Sequence, residues 1–428
     1  MRPSTHITFK KILTNKKKAQ GNYPQTKIFG KIGSKNPNDV VIVAALRTAI
    51  AKGMKGKFKD TTPDNILLPV FEAILNKTKV PPESLGDVVV GNVQTVGAYA
   101  TPARAAEIRA GIPYTVPLRT LNRQCSSGLQ AVASIAADIA AGYIDSGIGA
   151  GVESMSMGGA PGDPSTMPPF DMSAVFEHPV AAGCLNPMGI TSENVAEKFG
   201  VSREKQDAFA VKSHAKAVKA IKSGNFKNEI VPVKCIVKDA EGNEKEIVVD
   251  TDEGPREGTN VEGLSKLKPA FKKGGSTTAG NSSQVSDGAA AVLLMRRTEA
   301  ERLKLPIIGV FRGFKVSGVP PEIMGIGPAV AIPELLKDVG LSINDIDVFE
   351  INEAFASQAV YCVEKLGIPE EKVNPNGGAI ALGHPLGCTG ARQIATLLNE
   401  LQRSKKKTGV VSMCIGTGMG AAGLFEVQ

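Results

Sequence analysis

Apolar and polar positions form alternating blocks along the chain, and these blocks predict strands and helices in turn. The apolar run at residues 40–45 predicts a buried strand, and residues 87–91 predict another. Helices are predicted over residues 63–76 and 102–110, where apolar positions follow a helical spacing. The alternation predicts an α/β protein with a mainly parallel sheet and helices on both of its faces.

The final third of the chain repeats the plan of the first third. Residues 347–352 match residues 87–92 in their pattern, and a predicted helix and a glycine-flanked strand follow each of them. We infer a duplicated α/β unit. If the two halves pack about a pseudo-twofold axis, the matched helix starts face each other, with Cys125 at one and His384 at the other.

The chain between the two halves has a different character and predicts an inserted domain. It contains two predicted charged helices over residues 191–224, with Ser192 as an N-cap, and a hairpin over residues 230–250. This insertion either covers the site and binds the bulk of a substrate or is a surface decoration. The predicted division is a leader (1–38), an N-terminal half (39–154 and 285–305), a loop domain (155–284) and a C-terminal half (306–428).

Charge is concentrated at the N-terminus. The formal net charge is +8, but nine of the 50 Lys and Arg and none of the 42 Asp and Glu lie in residues 1–38. Residues 39–428 therefore hold 41 bases against 42 acids, a balance that predicts no nucleic-acid partner. No uninterrupted apolar run is long enough to predict a membrane span. The leader is either a disordered tail or a targeting segment.

The six cysteines include no Cys-x-x-Cys pair, and their spacing fits neither a disulfide framework nor a zinc site. We expect free thiols and no metal. Cys125 precedes a predicted helix, where free amides and the helix dipole would lower its pKa from about 8.5 and favour the thiolate. A small buried cysteine without chemistry is the alternative, and the residues alone leave both open.

Two further groups suit chemistry with Cys125. His384 lies between a glycine and a proline, where backbone can approach a ligand closely. Cys414 ends an apolar strand and enters a glycine-rich turn at Gly416, whose amides could hold an oxyanion. A nucleophilic thiolate, an imidazole and a second thiol that moves protons suit acyl transfer through cysteine. Another histidine, His214, is expected to be solvated on a Lys-rich helix.

Two polar stretches have less specific patterns. Asn352 closes the strand that matches residues 87–92 and could position a water or a carbonyl oxygen. Glu353 beside it is either a general base or a structural or solvated group. The polar turn at residues 278–283 either holds a pantetheine amide or a phosphate, or is a plain loop.

Taken together, these motifs resemble the thiolases, and within them the degradative 3-ketoacyl-CoA thiolases of the peroxisomal type. The resemblance covers residues 40–428, with the motifs in the same order. The matching stretches are residues 122–130, 149–157, 277–291, 350–358, 374–392 and 411–420.

The resemblance implies a five-layered αβαβα fold of two similar halves with an inserted loop domain. It implies that Cys125 takes the acyl group, that His384 activates it, and that Cys414 acts as general acid and base. One oxyanion hole would be formed by Asn352, through a water, and His384. The amides of Cys125 and Gly416 would form the other.

The implied reaction is thiolytic cleavage of 3-ketoacyl-CoA to acetyl-CoA and a shortened acyl-CoA in fatty-acid β-oxidation. Coenzyme A (CoA) would be a substrate, and no cofactor would be needed. The positions that match CoA contacts of the family are Met188, Arg256, Phe271 and Ser283. The family implies a homodimer or a homotetramer.

The sequence alone leaves open the cellular location of the protein and the direction of its reaction. Residues 11–19 approach a peroxisomal nonapeptide signal, but Lys18 stands where His or Gln is expected. We favour the peroxisome, with the mitochondrion as the alternative. Alternatives to thiolysis are biosynthetic condensation of two acetyl-CoA molecules, which would use the same residues, and a non-catalytic lipid-binding or scaffold protein on this fold.

Overall fold

The structure is a computed structural model and describes residues 29–158 and 169–428. The possible targeting signal at residues 11–19 lies outside the described residues. Across the two described ranges, no helix is both long and apolar enough to cross a membrane.

The strands form one large mixed sheet and a separate two-stranded hairpin. They are β1 (Val40–Thr48), β2 (Ala51–Lys52), β3 (Asp87–Gly91), β4 (Leu118–Leu121), β5 (Ser146–Ser154), β6 (Ile230–Val231), β7 (Val233–Lys238), β8 (Glu244–Val249), β9 (Ser286–Arg296), β10 (Gly309–Gly318), β11 (Val348–Ile351), β12 (Thr408–Ile415) and β13 (Met419–Glu426). The main path of the large sheet is β11-β12-β13-β10-β1-β9-β5-β3-β4, and β7 pairs with β8.

The expectation of a mainly parallel sheet is wrong. Strand β3 runs parallel to β4 and β5, and β11 runs parallel to β12. By contrast, β9 is antiparallel to β1 and β5, and β13 is antiparallel to β10 and β12. The short turn at residues 416–418 joins β12 to β13, and a turn of this length permits only antiparallel pairing.

The helices cover both faces of this sheet and part of the insertion. They are α1 (Pro63–Thr78), α2 (Ala100–Arg109), α3 (Ser127–Ala141), α4 (Met172–Glu177), α5 (Pro179–Ala182), α6 (Met188–Phe199), α7 (Arg203–Lys222), α8 (Val261–Ser265), α9 (Arg297–Arg302), α10 (Gly327–Val339), α11 (Ala356–Leu366), α12 (Ala379–Leu382) and α13 (Leu386–Ser404).

Helices α3 and α13 form the middle layer. Their apolar side chains, including Leu129, Ile135 and Ile394, share one buried cluster with strand residues of both halves. Helix α1 packs in a second cluster on the outer side of the N-terminal half, and α10 packs in a third on the outer side of the C-terminal half. The two halves of the large sheet therefore lie on either side of α3 and α13, with α1 and α10 outside them, which gives five layers.

Glycines allow the starts of the two middle helices to touch. A Cβ atom on Gly128 would lie 2.6 Å from the Gly387 carbonyl oxygen, and one on Gly390 would lie 2.2 Å from the Leu129 amide nitrogen. Real Cβ atoms do not approach backbone so closely. The starts of α3 and α13 can therefore meet because Gly128 and Gly390 have no side chain.

Two local predictions in the insertion have different outcomes. The hairpin is present as β7 and β8. The prediction that Ser192 is an N-cap is wrong, because α6 begins four residues earlier and Ser192 is buried within it. Its hydroxyl bonds to the hydroxyls of Thr277 (2.8 Å) and Ser357 (2.7 Å). Ser202 caps the second charged helix, α7, by accepting from Lys205 N.

The described end of the predicted leader is held against the C-terminal half. The Gly33 amide donates to Glu426 Oε1 at 2.6 Å. Arg312 donates to the carbonyl oxygens of Phe29 (3.0 Å) and Ser34 (2.6 Å). The basic composition of this segment gave no sign of these backbone contacts.

We expect Gly390→Ala to lower the melting temperature by several degrees, because overpacking a close contact costs about 1–3 kcal/mol. The matched control is Gly318→Ala, since a Cβ atom there has nothing within 4 Å. Differential scanning fluorimetry of both variants measures the effect. Equal melting temperatures for the two variants would show that the α3–α13 contact is not tight.

Candidate active site

A tight turn presents Cys125 just before α3. Gln124 adopts φ +47°, which is unusual for a residue with a side chain. Asn122 Oδ1 accepts from the Gln124 amide at 2.8 Å, and Ser127 Oγ donates to the Gln124 carbonyl oxygen at 2.7 Å. These bonds hold a left-handed backbone in place at the residue that precedes the nucleophile candidate.

The Cys125 thiol is almost completely buried, with 8% of the residue exposed. Burial raises the pKa of Cys125 to about 11, although hydrogen bonds from the amides of Gly416 and Cys125 itself favour the thiolate. The prediction of a lowered pKa is therefore wrong for the free site, because loss of water outweighs the helix start. The bond from Gly416 does place the glycine-rich turn directly at Cys125.

His384 is buried between two hydrogen-bond partners. Thr389 Oγ1 donates to the Pro385 carbonyl oxygen at 3.0 Å, so it accepts from His384 Nδ1–H at 2.6 Å. The other ring nitrogen, Nε2, lies 3.2 Å from Asn352 Nδ2 and carries a lone pair. Burial, with a smaller effect from the positive charge of Arg392, lowers the pKa of His384 to about 3. The free site thus holds a neutral imidazole.

Cys414 lies near the end of β12 and is fully buried in a small cluster with Met324, Ala354 and Phe355. Burial raises the pKa of Cys414 well above its usual value, and the nearby Cys125 adds to this shift. The two thiols are therefore close enough for the charge of one to oppose the charge of the other. Both start as neutral thiols.

Met188 and Phe271 lie beside the two thiols. Met188 packs against the cluster around Cys414, and its sulfur lies 3.6 Å from the place of a Cβ atom on Gly416. The ring of Phe271 meets the ring of Phe355 edge to face, with centroids 6.2 Å apart, and 44% of Phe271 is exposed. A half-exposed aromatic ring at a buried site suits contact with a ligand.

Ser283 and Arg256 approach the site from two connected segments. The Ser283 amide donates to the carbonyl oxygen of Ala354, which belongs to the cluster around Cys414. Gln284 Nε2 donates to the Gly254 carbonyl oxygen at 3.2 Å, which ties the segment of Arg256 to the segment of Ser283. The Arg256 side chain is exposed at the outer end of this arrangement.

His214 is not solvated, so that prediction is wrong. It is 5% exposed, and its Nδ1 accepts from the Arg256 amide at 3.2 Å. Burial, with a smaller effect from the charge of Arg256, lowers the pKa of His214 to about 4. The segment of Arg256 covers this face of α7.

Glu353 is structural. It is 1% exposed and accepts from Ser213 Oγ (2.6 Å), Asn374 Nδ2 (2.7 Å) and the Ile380 amide (3.2 Å). Burial is the main cause of its raised pKa. Through these three bonds the carboxylate joins separate segments of the chain next to Asn352. Because Glu353 is buried, the prediction of a solvated group is excluded.

Three groups that contact the predicted site residues or act on them were not predicted from the sequence. Thr389 holds His384 Nδ1, and Arg392, one turn further along α13, acts on the charge of the same imidazole. Glu153 bonds to the first turn of α13. A hydroxyl residue one helical turn after Gly-His-Pro was the available signal for Thr389. No local pattern indicated the other two.

The described part of the chain contains no group of three or more His, Cys, Asp or Glu side chains arranged to hold a metal ion. The six cysteines are free thiols. A buried thiol beside a backbone donor, a second thiol and an oriented neutral imidazole can form an acyl-cysteine and move protons. Fold and site together define a cysteine-dependent acyltransferase.

The comparisons identify the family. The thiolase N-terminal domain model matches residues 40–298, and the thiolase C-terminal domain model matches residues 305–427. The chain belongs to the thiolase family, which confirms the predicted fold class and the resemblance.

Relatives of high sequence identity include peroxisomal 3-ketoacyl-CoA thiolases. The chain is 63% identical over 392 residues to "3-ketoacyl-CoA thiolase A, peroxisomal" of Rattus norvegicus, covering 91% of this chain and 89% of the relative. It is 62% identical over 389 residues to the human peroxisomal 3-ketoacyl-CoA thiolase, covering 91% of each. The crystal structure of the dimeric peroxisomal thiolase of Saccharomyces cerevisiae superposes with a TM-score of 0.86 at 51% identity, covering 92% of this chain and 99% of that one.

We expect Thr389→Val to lower kcat about ten- to a hundredfold, because the His384 Nδ1–H loses its acceptor in a buried site. Thr389→Ser is the matched control and keeps the hydroxyl. Steady-state thiolysis assays with 3-ketoacyl-CoA and CoA measure the effect. If the valine variant keeps the wild-type kcat, Thr389 does not orient the imidazole.

Proposed function

We propose that this chain cleaves 3-ketoacyl-CoA with CoA to give acetyl-CoA and a shortened acyl-CoA, as a 3-ketoacyl-CoA thiolase of fatty-acid β-oxidation. The observation that carries the proposal is that the Cys125 thiol meets the Gly416 amide and lies near the Cys414 thiol, while a neutral His384 oriented by Thr389 precedes the helix whose start contacts α3. The high identity to peroxisomal 3-ketoacyl-CoA thiolases supports the same activity and a peroxisomal location.

In the first half-reaction Cys125 is the nucleophile. Its proton passes to His384 Nε2, and its sulfur attacks the C3 ketone carbon of the substrate. The C2–C3 bond then breaks, and its electron pair stays on C2 as the enolate of acetyl-CoA. Cys414 donates its proton to C2 and becomes a thiolate, and the shortened acyl group remains on Cys125.

In the second half-reaction CoA releases the acyl group. The Cys414 thiolate takes the proton of the incoming CoA thiol, and the CoA sulfur attacks the acyl carbonyl carbon. The bond between that carbon and the Cys125 sulfur breaks, and Cys125 recovers its proton from His384. Both thiols and the imidazole end in their starting states.

Charge on oxygen develops in both half-reactions and needs fixed donors. The amides of Cys125 and Gly416 supply one set of donors. Asn352, through a water, and His384, once it is protonated, supply the other. Removing one such donor in a dry site costs about 3 kcal/mol of transition-state stabilisation. The reaction moves only protons and an acyl group, so the proposal includes no cofactor.

CoA is expected to bind along the insertion. Met188, Phe271 and Ser283 line the approach to the two thiols, and the exposed Arg256 at its outer end carries the positive charge that suits the nucleotide phosphates. We propose a homodimer, as in the dimeric yeast relative, with a homotetramer as the alternative.

Cys125→Ser should abolish thiolysis and remove the acyl adduct that mass spectrometry detects when the protein is mixed with a 3-ketoacyl-CoA. Serine is a far weaker nucleophile beside a neutral imidazole. Cys235→Ser is the control, since Cys235 lies in the β7–β8 hairpin with its sulfur 3.5 Å from the Lys57 carbonyl oxygen. An adduct on any other residue, or retained turnover in Cys125→Ser, would remove Cys125 as the nucleophile.

Cys414→Ala should lower kcat by about 10²–10⁴-fold, the usual contribution of a general acid or base. It should also abolish exchange of solvent deuterium into the methyl group of acetyl-CoA, because that exchange needs a base at C2. Proton NMR follows the exchange. Wild-type exchange in the alanine variant would assign the C2 proton transfer to another group.

A further inference from the structure

Glu153 is a fully buried carboxylate near the end of β5. Its Oε2 accepts from the amides of Gly387 (2.9 Å) and Val93 (3.1 Å). Its Oε1 accepts from the Gln94 amide (3.2 Å) and from Asn92 Nδ2 (3.2 Å). A single side chain therefore joins the loop after β3 in the N-terminal half to the first turn of α13 in the C-terminal half.

The Glu153 carboxylate lies close to the turns of both proposed reacting residues, Cys125 and His384. Gly387 follows His384 by three residues and precedes Thr389, which holds the imidazole. On the other side, the negative charge of Glu153 acts on the Cys125 thiol and adds to the effect of burial in raising its pKa. The same carboxylate thus acts on the nucleophile and on the turn of the base.

The duplicated halves differ in what their matching asparagines contact, and Glu153 is one of the two partners. Asn92 and Asn352 occupy matching positions of the two halves, and Asn352 Nδ2 faces His384 Nε2. Asn92 Nδ2 instead donates to Glu153 Oε1 and to the Val152 carbonyl oxygen. The asparagine of the C-terminal half therefore contacts His384, whereas the matching asparagine of the N-terminal half binds Glu153.

We propose that Glu153 is a positioning residue, whose carboxylate sets the placement of the His384 turn relative to the Cys125 turn. The proposal rests on the proposed function only through the roles of those two residues. The four donors around Glu153 are all N–H groups, which an ionised carboxylate satisfies. A neutral carboxyl would turn its O–H towards one of them.

Several charged or titratable groups surround this arrangement. The pKa of Glu153 is raised to about 7, mainly by burial; the amides of Gly387, Gln94 and Val93 oppose this shift, and the charge of Asp287 on β9 adds to it. Beyond these, Cys388 on α13 faces Glu153, and Arg392 acts on Cys388 and on His384. Cys414 faces Cys125 from β12.

The test compares Glu153→Gln, Glu153→Asp and the control Glu107→Gln. Glu107 is also a buried carboxylate, but it pairs with Arg104 on its own helix, α2. Three quantities are measured for each variant: kcat of thiolysis, the melting temperature, and the pH profile of Cys125 alkylation by iodoacetamide without substrate. Peptide mass spectrometry assigns the alkylation to Cys125.

We expect Glu153→Gln to lower kcat about ten- to a hundredfold, because the amide loses the charge and presents a donor to N–H groups. Its alkylation profile should move to lower pH, because the negative charge that opposes the thiolate is gone. Glu153→Asp keeps the charge but is one methylene shorter, so kcat should fall while the alkylation profile stays in place. Glu107→Gln should change neither kcat nor the alkylation profile.

A folded Glu153→Gln with wild-type kcat and alkylation profile would overturn the proposal. If this variant does not fold, Glu153→Asp decides, and a wild-type kcat there rejects the positioning role. If wild-type protein shows no thiolysis, the proposed function fails. The alkylation shift, measured without substrate, then still decides whether Glu153 acts on Cys125.

Discussion

The close contact between the starts of α3 and α13 is the constraint on which the rest of the molecule depends. Gly128 and Gly390 permit it, since a side chain at either position would collide with backbone of the opposite helix. The apolar faces of both helices are buried between the sheets of the two halves, which supplies the stabilisation. Cys125 and His384 each lie two residues before one of these helices, so the contact brings their two turns together.

Burial at this contact sets the electrostatics of the site. It raises the pKa values of Cys125 and Cys414 and lowers that of His384, so the free site holds three neutral groups. In the proposed reaction, charge develops only after substrate has entered, where the amides of the glycine-rich turn can face it. In a site without bulk water such donors act strongly, and no solvent has to reorganise as the reaction proceeds.

Local patterns predicted much of this protein. Strand β3 has the predicted bounds, since an apolar run between polar residues marks a buried strand. The predicted thiols and imidazole stood out through glycine-rich surroundings. Thr389 and Glu153 were missed because their roles arise only on folding; Glu153 and Gly387 are 234 residues apart. The error at His214 has the same origin, because its Lys-rich helix does not reveal the distant segment that covers it.

The proposed reacting residues are divided between the two halves of the chain, and this division bears on how the gene could be split. The thiolase domain models meet between residues 298 and 305, with Cys125 on one side and both His384 and Cys414 on the other. A coding sequence cut at that junction would yield two polypeptides, each of which lacks part of the proposed reacting set. Turnover would return only on reassembly, which makes this junction a natural place for split-reporter complementation.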